Sequence, residues 1–278
     1  MMDCFQSKFG KYPFYEDGYK LVETPYLGME HQSAVAYGNK YKKGYLGMDL
    51  SGTGAGMFFD YITIHETGHE WFGNSITSKD IADMWIHEGF TTYTETVFIE
   101  CVKGYDEAIK YVNGQSRSVR NDRPVIAQFG VNKEGSGDMY YKGALMLNTI
   151  RHIINDDAKW WKLLYNYSET YKKQIIDTKT VIDYFNKESG LDLTSVFNQY
   201  LTTTKIPKLV LSKTGNKLSY EWQNVNTDFK MPVDIVINEK TIRLHPTTSK
   251  QETKIDKKIK LENIQVKTNQ FFIKVEKK

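Results

Sequence analysis

The chain has 278 residues, of which 40% are hydrophobic and 14% aromatic, enough apolar material for one large or two smaller globular domains. Charged residues make up 26% of the sequence and the net charge is only +3, so the charge balance indicates neither a nucleic acid nor an anionic membrane as a partner. No stretch approaches the ~20 apolar residues of a membrane span, and no signal-peptide pattern is found, so the cellular compartment stays open.

The first ten residues have the pattern of an amphipathic helix that ends at Gly10, as if the sequence began within that helix. Short alternating runs at 19–24 and 32–37 predict two strands. From residue 57 to about residue 203 the pattern is helical almost throughout. The predicted helices are 57–74, 80–103, 105–120, 140–155, 157–173, 178–189 and 194–203.

Beyond Pro207 the hydrophobic period changes to two, with short runs at 209–211, 233–237 and 271–275. This pattern predicts a small antiparallel β unit. Because proline cannot continue a helix and the composition shifts here, we place a domain boundary near Lys205. The sequence therefore predicts an α+β protein with a mainly helical domain at 1–205, which includes a small amino-terminal sheet, and a β domain at 206–278.

The segment His65-Glu66-Thr67-Gly68-His69 lies within the first long predicted helix. Residues four apart share one face of a helix, so the imidazoles of His65 and His69 can reach a single metal ion. Glu66 lies about 100° round the helix, off the metal axis but near any water on the metal, where a general base is needed. The motif is short enough to occur by chance, so its surroundings have to support it.

Glu88 follows His69 after 18 intervening residues, within the second long predicted helix. A short turn between two antiparallel helices would bring its carboxylate against the histidine pair. Three protein ligands and one open position are typical of catalytic zinc, whereas structural sites close all four positions, usually with cysteine. We predict one Zn²⁺ per chain, bound by His65, His69 and Glu88. His87 points about 100° away from Glu88 on the helix and is not expected to bind the metal.

The two cysteines, Cys4 and Cys101, are too few for a disulfide framework, and neither has a partner at metal-ligand spacing. A thiolate metal site is therefore excluded.

Peptide hydrolysis also requires a base and a hydrogen-bond donor for the oxyanion of the tetrahedral intermediate. Glu66 can accept the proton of the attacking water and pass it to the leaving amine. Tyr140 and Tyr141 lie at a predicted helix start, where the dipole favours negative charge, and the pattern alone does not choose between them. Glu95 lies two turns beyond Glu88 and can accept a hydrogen bond from a ligating imidazole, although a solvent-facing glutamate would fit the pattern equally well.

These segments resemble those of the gluzincin aminopeptidases, the family that includes alanyl aminopeptidase and the leukotriene hydrolase. That family carries H-E-x-x-H, 18 residues and then E, and the sequence around both parts is similar in this chain. Its G-x-M-E-N element resembles Leu27-Gly28-Met29-Glu30-His31, and its Y-x-K-G element resembles Tyr140-Tyr141-Lys142-Gly143. The resemblance covers roughly residues 10–205 and implies a thermolysin-like catalytic domain. The β tail resembles the small sandwich that often follows this domain.

By this resemblance, Glu30 binds the free α-amino group of the substrate, and Gly28 and Met29 pair with the substrate backbone. A carboxylate at the closed end of a cleft selects a terminal ammonium ion and so makes an exopeptidase. Without the motif, Glu30 would be interpreted as a surface glutamate. The resemblance also selects Tyr140, rather than Tyr141, as the tyrosine that stabilises the transition state.

The sequence thus predicts a zinc aminopeptidase that removes residues from peptides with a free amino terminus. The chain departs from the family at His31, which replaces the usual asparagine. The sequence therefore does not indicate which amino-terminal residue of the substrate is preferred. It also lacks the amino-terminal β domain of the family, which walls the cleft, and the carboxy-terminal helical domain. We therefore expect the chain to be a fragment that this β domain completes.

Two alternatives remain at this point. A thermolysin-type endopeptidase would use the same zinc geometry without Glu30. In a non-catalytic alternative, the chain is a binding module that merely holds zinc.

Overall fold

The computed structural model describes residues 1–278 as a mixture of α-helices and β-strands. The helices are α1 (Met2–Phe9), α2 (Tyr61–Gly68), α3 (Trp85–Lys103), α4 (Tyr105–Gly114), α5 (Tyr141–Ile154), α6 (Asp157–Thr170), α7 (Thr178–Ser189) and α8 (Thr194–Thr202). The strands are β1 (Lys20–Glu23), β2 (Gly28–Met29), β3 (Ala34–Tyr37), β4 (Ile76–Ser78), β5 (Gln174–Ile176), β6 (Lys208–Thr214), β7 (Lys217–Gln223), β8 (Val233–Ile237), β9 (Lys240–Leu244), β10 (Gln251–Lys254), β11 (Gln265–Val266) and β12 (Lys274–Lys277). No helix combines the length and the apolar composition that a membrane crossing requires.

Helix α2 is much shorter than the predicted helix 57–74. Phe59 is extended and buried, and it separates a short 3₁₀ turn at Ala55–Phe58 from the helix. Asp60 then starts α2, because its side chain accepts a hydrogen bond from the Thr63 amide at 3.1 Å. After the helix, Gly73 adopts a φ of 138°, a conformation that strongly favours glycine, and redirects the chain into β4. His69 follows the last helical residue directly but keeps a helical backbone, so the shared face of the histidine pair survives.

The connection between α2 and α3 is not the short turn that the sequence predicted. It runs through β4, which pairs in parallel with β5 at the register Ile76–Gln174, and through a 3₁₀ turn at Ile81–Asp83. The predicted helix 80–103 therefore begins only at Trp85. It ends at Gly104, as the sequence indicated, where φ is 90°. Most of α3 is buried, which is typical of a helix that neighbours cover on several sides.

Cys4 and Cys101 form a disulfide between α1 and α3, across a sequence separation of 97 residues. Closing so long a loop removes many conformations from the unfolded chain, which favours the folded state. The crosslink also fixes the amino-terminal helix to the helix that carries Glu88 and Glu95.

The small amino-terminal sheet has the strand order β1-β3-β2. Strand β3 pairs in parallel with β1 and antiparallel with β2, where Gly28 lies opposite Tyr37. Both strands predicted here are present, with shorter bounds than the runs 19–24 and 32–37. Glu30 directly follows β2, so this sheet places the G-x-M-E segment beside α2.

Residues beyond 206 form two sheets, with the orders β10-β7-β6-β12 and β11-β8-β9. The prediction of a purely antiparallel unit is wrong at one pair, because β12 runs parallel to β6 at the register Lys274–Lys208. Of the predicted strand 271–275, only residues 274 and 275 lie in a strand, β12, and Phe271 lies before it with its side chain buried in the core. This part is joined to α5 by Arg243, which donates to the carbonyl of His152 at 2.7 Å and pairs with Asp234 at 2.8 Å.

His152 is buried near this junction in its neutral form. Its Nδ1 bonds the Asn148 carbonyl and its Nε2 bonds the Tyr105 hydroxyl, both at 2.7 Å. Burial is the main cause that lowers the pKa of His152 from 6.5 to about 4, and the Arg151 charge adds to it. In the unfolded chain the imidazole takes up a proton near pH 6.5, whereas in the folded chain it does so only near pH 4.

We therefore expect His152 to lower the free energy of unfolding by on the order of 3 kcal/mol as the pH drops from about 6.5 to about 4. Urea denaturation of the parent protein and of His152→Gln across this pH range measures the effect. The difference between the two curves removes the contribution of all other titrating groups. His245→Gln, at an exposed histidine, is the control. Parallel curves for the parent and His152→Gln would contradict this assignment.

Candidate active site

Helices α2 and α3 bring the H-E-x-x-H segment and Glu88 together. The Nε2 atoms of His65 and His69 lie 3.4 Å and 3.3 Å from the same carboxylate oxygen, Oε2 of Glu88. All three side chains are buried, and their ligand atoms lie within 4.8 Å of one another. Two imidazole nitrogens and one carboxylate oxygen that converge in this way form a donor set that zinc prefers.

The hydrogen bonding of this cluster also fits a metal ion. Oε2 of Glu88 is buried without a hydrogen-bond partner, and an unsatisfied buried carboxylate oxygen is costly. Burial raises the pKa of Glu88, but the two imidazoles outweigh it and hold that pKa below its usual range. The pKa of His65 is raised despite burial, because Glu88 and Glu95 stabilise its charged form. The cluster therefore attracts positive charge, which a divalent cation supplies.

Close packing at Gly68 allows α2 and α3 to approach. A Cβ atom at this position would lie 2.4 Å from Oγ1 of Thr94 and 3.2 Å from Cγ2 of Thr91 on α3. A larger residue would force the Thr94 side chain, or the two helices themselves, to shift. The glycine inside α2, which costs helix propensity of about 1 kcal/mol relative to alanine, is therefore explained by the packing.

Each histidine is oriented through its second ring nitrogen. Nδ1 of His65 lies 2.7 Å from Oε1 of Glu95, which is completely buried. The solvent-facing alternative for Glu95 is thus wrong. Its other oxygen accepts hydrogen bonds from the hydroxyl of Tyr111 and, at 3.1 Å, from the side chain of Gln115. Such outer contacts fix the tautomer and the ring orientation of a ligand.

The sequence did not predict the partners of the second imidazole. Nδ1 of His69 lies 3.0 Å from the Phe72 carbonyl and 3.1 Å from Oγ1 of Thr91. The sequence analysis also did not predict a contact between Tyr61 and His65, whose rings stack with centroids 5.2 Å apart. The spacing of Tyr61, one turn before His65, was the only available signal, and it is common to many helices.

Glu66 faces the amino-terminal sheet. Gly28 approaches it so closely that a Cβ there would lie 2.6 Å from Oε1 of Glu66. Burial is the first cause that raises the pKa of Glu66, and the carboxylates of Glu30 and Glu88 add to it. Ligand atoms of Glu30, Glu66 and His69 lie within 4.8 Å of one another. Met29, in contrast, is 40% exposed. The structure therefore places Glu30 beside the side chain predicted to be the base.

Tyr140 lies directly before α5, and its ring stacks on His65 with centroids 6.0 Å apart. Burial and the Glu88 carboxylate raise the pKa of Tyr140, so its phenol stays protonated and can donate a hydrogen bond. Burial and Glu95 raise the pKa of Tyr141 to about 12. Both tyrosines line the same cavity, but of the two only Tyr140 stacks on His65 and has its pKa raised by Glu88.

His87 lies outside the metal cluster. Its Nε2 accepts a hydrogen bond from the Ser78 amide at 2.8 Å, and burial lowers the pKa of His87 to about 4. A neutral imidazole that already accepts a hydrogen bond has a structural role here.

A cavity of about 560 Å³ opens beside His65 and Glu66. His65, Glu66 and Tyr140 form one wall of it, and apolar side chains that include Leu50 and Ile62 form the rest. Glu30 does not line this cavity. The cavity therefore adjoins His65, Glu66 and Tyr140, whereas Glu30 lies near Glu66 and His69 outside its lining.

Comparison with known proteins agrees with this geometry. Residues 2–200 match the model of the peptidase family M1 domain. A probable aminopeptidase 1 of Saccharolobus solfataricus is 21% identical over 289 residues, which cover 96% of this chain and 36% of that protein. Aminopeptidase B of Rattus norvegicus is 25% identical over 169 residues, which cover 52% of this chain and 26% of that protein.

The solved structure of the M1 zinc metallopeptidase from Deinococcus radiodurans superimposes with a TM-score of 0.59 at 21% identity, covering 74% of this chain and 43% of that chain. This likeness shows a shared fold. The chain spans about a third of the length of the first of these relatives. Because the family model covers well over half of the residues, the chain belongs to peptidase family M1.

Proposed function

We propose that this chain is the catalytic part of a zinc aminopeptidase, with one Zn²⁺ bound by His65, His69 and Glu88. The observation that carries the proposal is the position of Glu30, whose carboxylate lies within 4.8 Å of ligand atoms of Glu66 and His69. A carboxylate at this position can bind the ammonium group of a free amino terminus by a charge-assisted hydrogen bond, which a blocked amino terminus cannot form. Membership of peptidase family M1 supports both the metal and the reaction.

Zinc, when bound, supplies a Lewis acid that polarises the substrate carbonyl and lowers the pKa of water. Glu66 then accepts the proton of the attacking water and transfers it to the nitrogen of the leaving amine. Tyr140 donates a hydrogen bond from its phenolic hydroxyl to the developing oxyanion, which its position against His65 allows. Glu30 binds the ammonium group and thereby selects the first peptide bond. Gly28 and Met29 present backbone groups to the substrate.

We also propose that a domain boundary lies near Lys205, between a thermolysin-like catalytic domain and a β-sandwich.

A further β domain of the full-length protein, we propose, covers the surface formed by residues 15–58. Strand β1 is exposed along its whole length and lies at a sheet edge, which requires protection in a stable protein. The large apolar side chains exposed in this region are Tyr15, Leu21, Val22, Tyr26, Met29, Tyr41, Leu46, Met48 and Phe58. A surface of this kind is typical of an interface.

The selectivity for a free amino group tests the proposed function directly. We expect the full-length protein to hydrolyse aminoacyl p-nitroanilides and to leave the N-acetylated forms of the same compounds intact, because acetylation removes the charge that Glu30 binds. Release of nitroaniline measures both. Cleavage of blocked peptides alone would instead support an endopeptidase. A protein that binds zinc but cleaves neither class would support the binding-module alternative.

Glu66→Gln should lower kcat by about 10²- to 10⁴-fold, because an amide cannot accept the proton. The zinc content should stay the same, since Glu66 is not a ligand. Metal analysis and turnover of the same preparation measure the two quantities together. Unchanged turnover would show that the base is wrongly assigned, whereas loss of zinc would show that Glu66 takes part in metal binding.

Glu95→Gln should weaken zinc binding by about 10- to 100-fold, because the His65 imidazole loses a charged hydrogen-bond acceptor. Competition with a chromogenic chelator measures the affinity. Glu107→Gln removes a carboxylate from α4, where it pairs with Lys110 away from the site, and serves as the matched control. Equal zinc affinities for the two variants would contradict an orienting role for Glu95.

A further inference from the structure

The proposed mechanism assigns no role to two polar residues that lie shortly after α2. Glu70 directly follows His69, and Asn74 lies four residues further along the chain. Glu70 is completely buried, and its Oε1 accepts a hydrogen bond from the Ser33 amide at 2.7 Å. Asn74 donates from its Nδ2 to the backbone carbonyl of Glu30 at 2.8 Å. Both contacts reach the same short segment, residues 30–33, which carries the proposed amine-binding carboxylate.

This segment has an unfavourable backbone conformation. Ser33 adopts a φ of 59°, in the left-handed region that residues with a side chain rarely occupy. The turn is closed by a hydrogen bond of 3.0 Å from the Ala34 amide to the His31 carbonyl, and the Ser33 hydroxyl lies 3.0 Å from the Tyr12 hydroxyl. Such a conformation persists only where the surroundings hold it, and these sites are often functional.

The Glu30 side chain has no hydrogen bond or ion pair of its own in the structure, so its position depends on the backbone that carries it. Strand β2 ends at Met29, one residue before it. Beyond this point the His31 amide bonds the Met29 carbonyl at 3.0 Å. The side chains of Asn74 and Glu70 then bond the backbone of the segment at its two ends, Glu30 and Ser33. Both side chains are carried by a fixed backbone, because the Asn74 amide bonds the His69 carbonyl at 2.9 Å and the Glu70 amide bonds the Thr67 carbonyl at 3.1 Å.

We infer that Glu70 and Asn74 are positioning residues that set the distance between the amine-binding carboxylate of Glu30 and the metal ligand His69. This inference rests on the proposed aminopeptidase function and extends it. An aminopeptidase must hold the ammonium group and the scissile carbonyl of a single residue at the same time. A displacement of about 1 Å in such an arrangement can lower the rate by about 10²-fold.

Asn74→Asp tests the inference, because the side chain keeps its shape but loses the amide donor and faces the Glu30 carbonyl with a negative charge. Two inhibitors separate positioning from general damage: a leucine hydroxamate, which has a free amino group, and acetohydroxamate, which binds the metal without one. We expect the Ki of the leucine hydroxamate and the KM of aminoacyl substrates to rise by about ten- to a hundredfold. The Ki of acetohydroxamate, the zinc content and the melting temperature should stay close to those of the parent.

Glu70 provides a second and independent pair of variants. Glu70→Gln keeps an oxygen that accepts the Ser33 amide and should retain most of the selectivity, whereas Glu70→Ala should lose it as Asn74→Asp does. Asn113→Asp is the matched control, since Asn113 also donates to a backbone carbonyl, that of Ile109 at 2.8 Å, but lies on α4. It should change neither Ki.

Two results would overturn the inference. In one, both inhibitors weaken equally in Asn74→Asp and in Glu70→Ala, which would indicate a merely structural role. In the other, neither Ki changes. If Glu30→Gln weakens the leucine hydroxamate while the variants at 70 and 74 do not, the inference fails but the proposed function stands. If the parent protein does not prefer the inhibitor with the amino group, the proposed function fails with it.

Discussion

The structure depends on the contact between α2 and α3, where two imidazoles and a carboxylate meet in a buried space. Burying these groups without a cation would leave Oε2 of Glu88 unsatisfied, and the attraction between a protonated imidazole and a carboxylate satisfies it only in part. A divalent cation removes this problem. The small residue at Gly68 and the buried surface of α3 follow from the same requirement, since both allow the two helices to approach closely enough.

Around this centre, the support comes from parts of the chain that are far apart in sequence. Glu95 on α3 orients His65 and is itself bonded by Tyr111 and Gln115, from α4 and the turn after it. The disulfide between Cys4 and Cys101 adds a covalent connection from α1 to α3. The arrangement of His65, His69 and Glu88 therefore depends on several helices, and side chains outside this group contribute to it.

Local patterns predicted the convergence of His65, His69 and Glu88, because the physical rule behind it is local. The i and i+4 spacing of His65 and His69 puts both rings on one face, and this holds although α2 is much shorter than predicted. The length error arose because apolar residues at 57–59 fit a helical period, whereas in the structure Phe59 is extended and fills the core. The position of Glu88 was predicted from spacing, but the path that leads to it, through β4 and its pairing with β5, was not.

Contacts that join distant segments were beyond the reach of pattern analysis. Nothing in the sequence around Asn74 indicates that its side chain reaches Glu30, and nothing near Lys274 indicates a parallel pairing with Lys208. Physical reasoning from the residues left Tyr140 and Tyr141 equal, and the family resemblance chose Tyr140. The structure adds the stacking of Tyr140 on His65 and the influence of Glu88 on its pKa.

The central claim of this account is that His65, His69 and Glu88 share one zinc ion. Anomalous diffraction at the zinc absorption edge, from crystals of protein purified without added metal, tests it most directly. The account predicts a single strong peak about 2.0–2.2 Å from the two Nε2 atoms and from a carboxylate oxygen of Glu88. A peak bound by other side chains, or zinc-saturated crystals with no peak between these three, would contradict it.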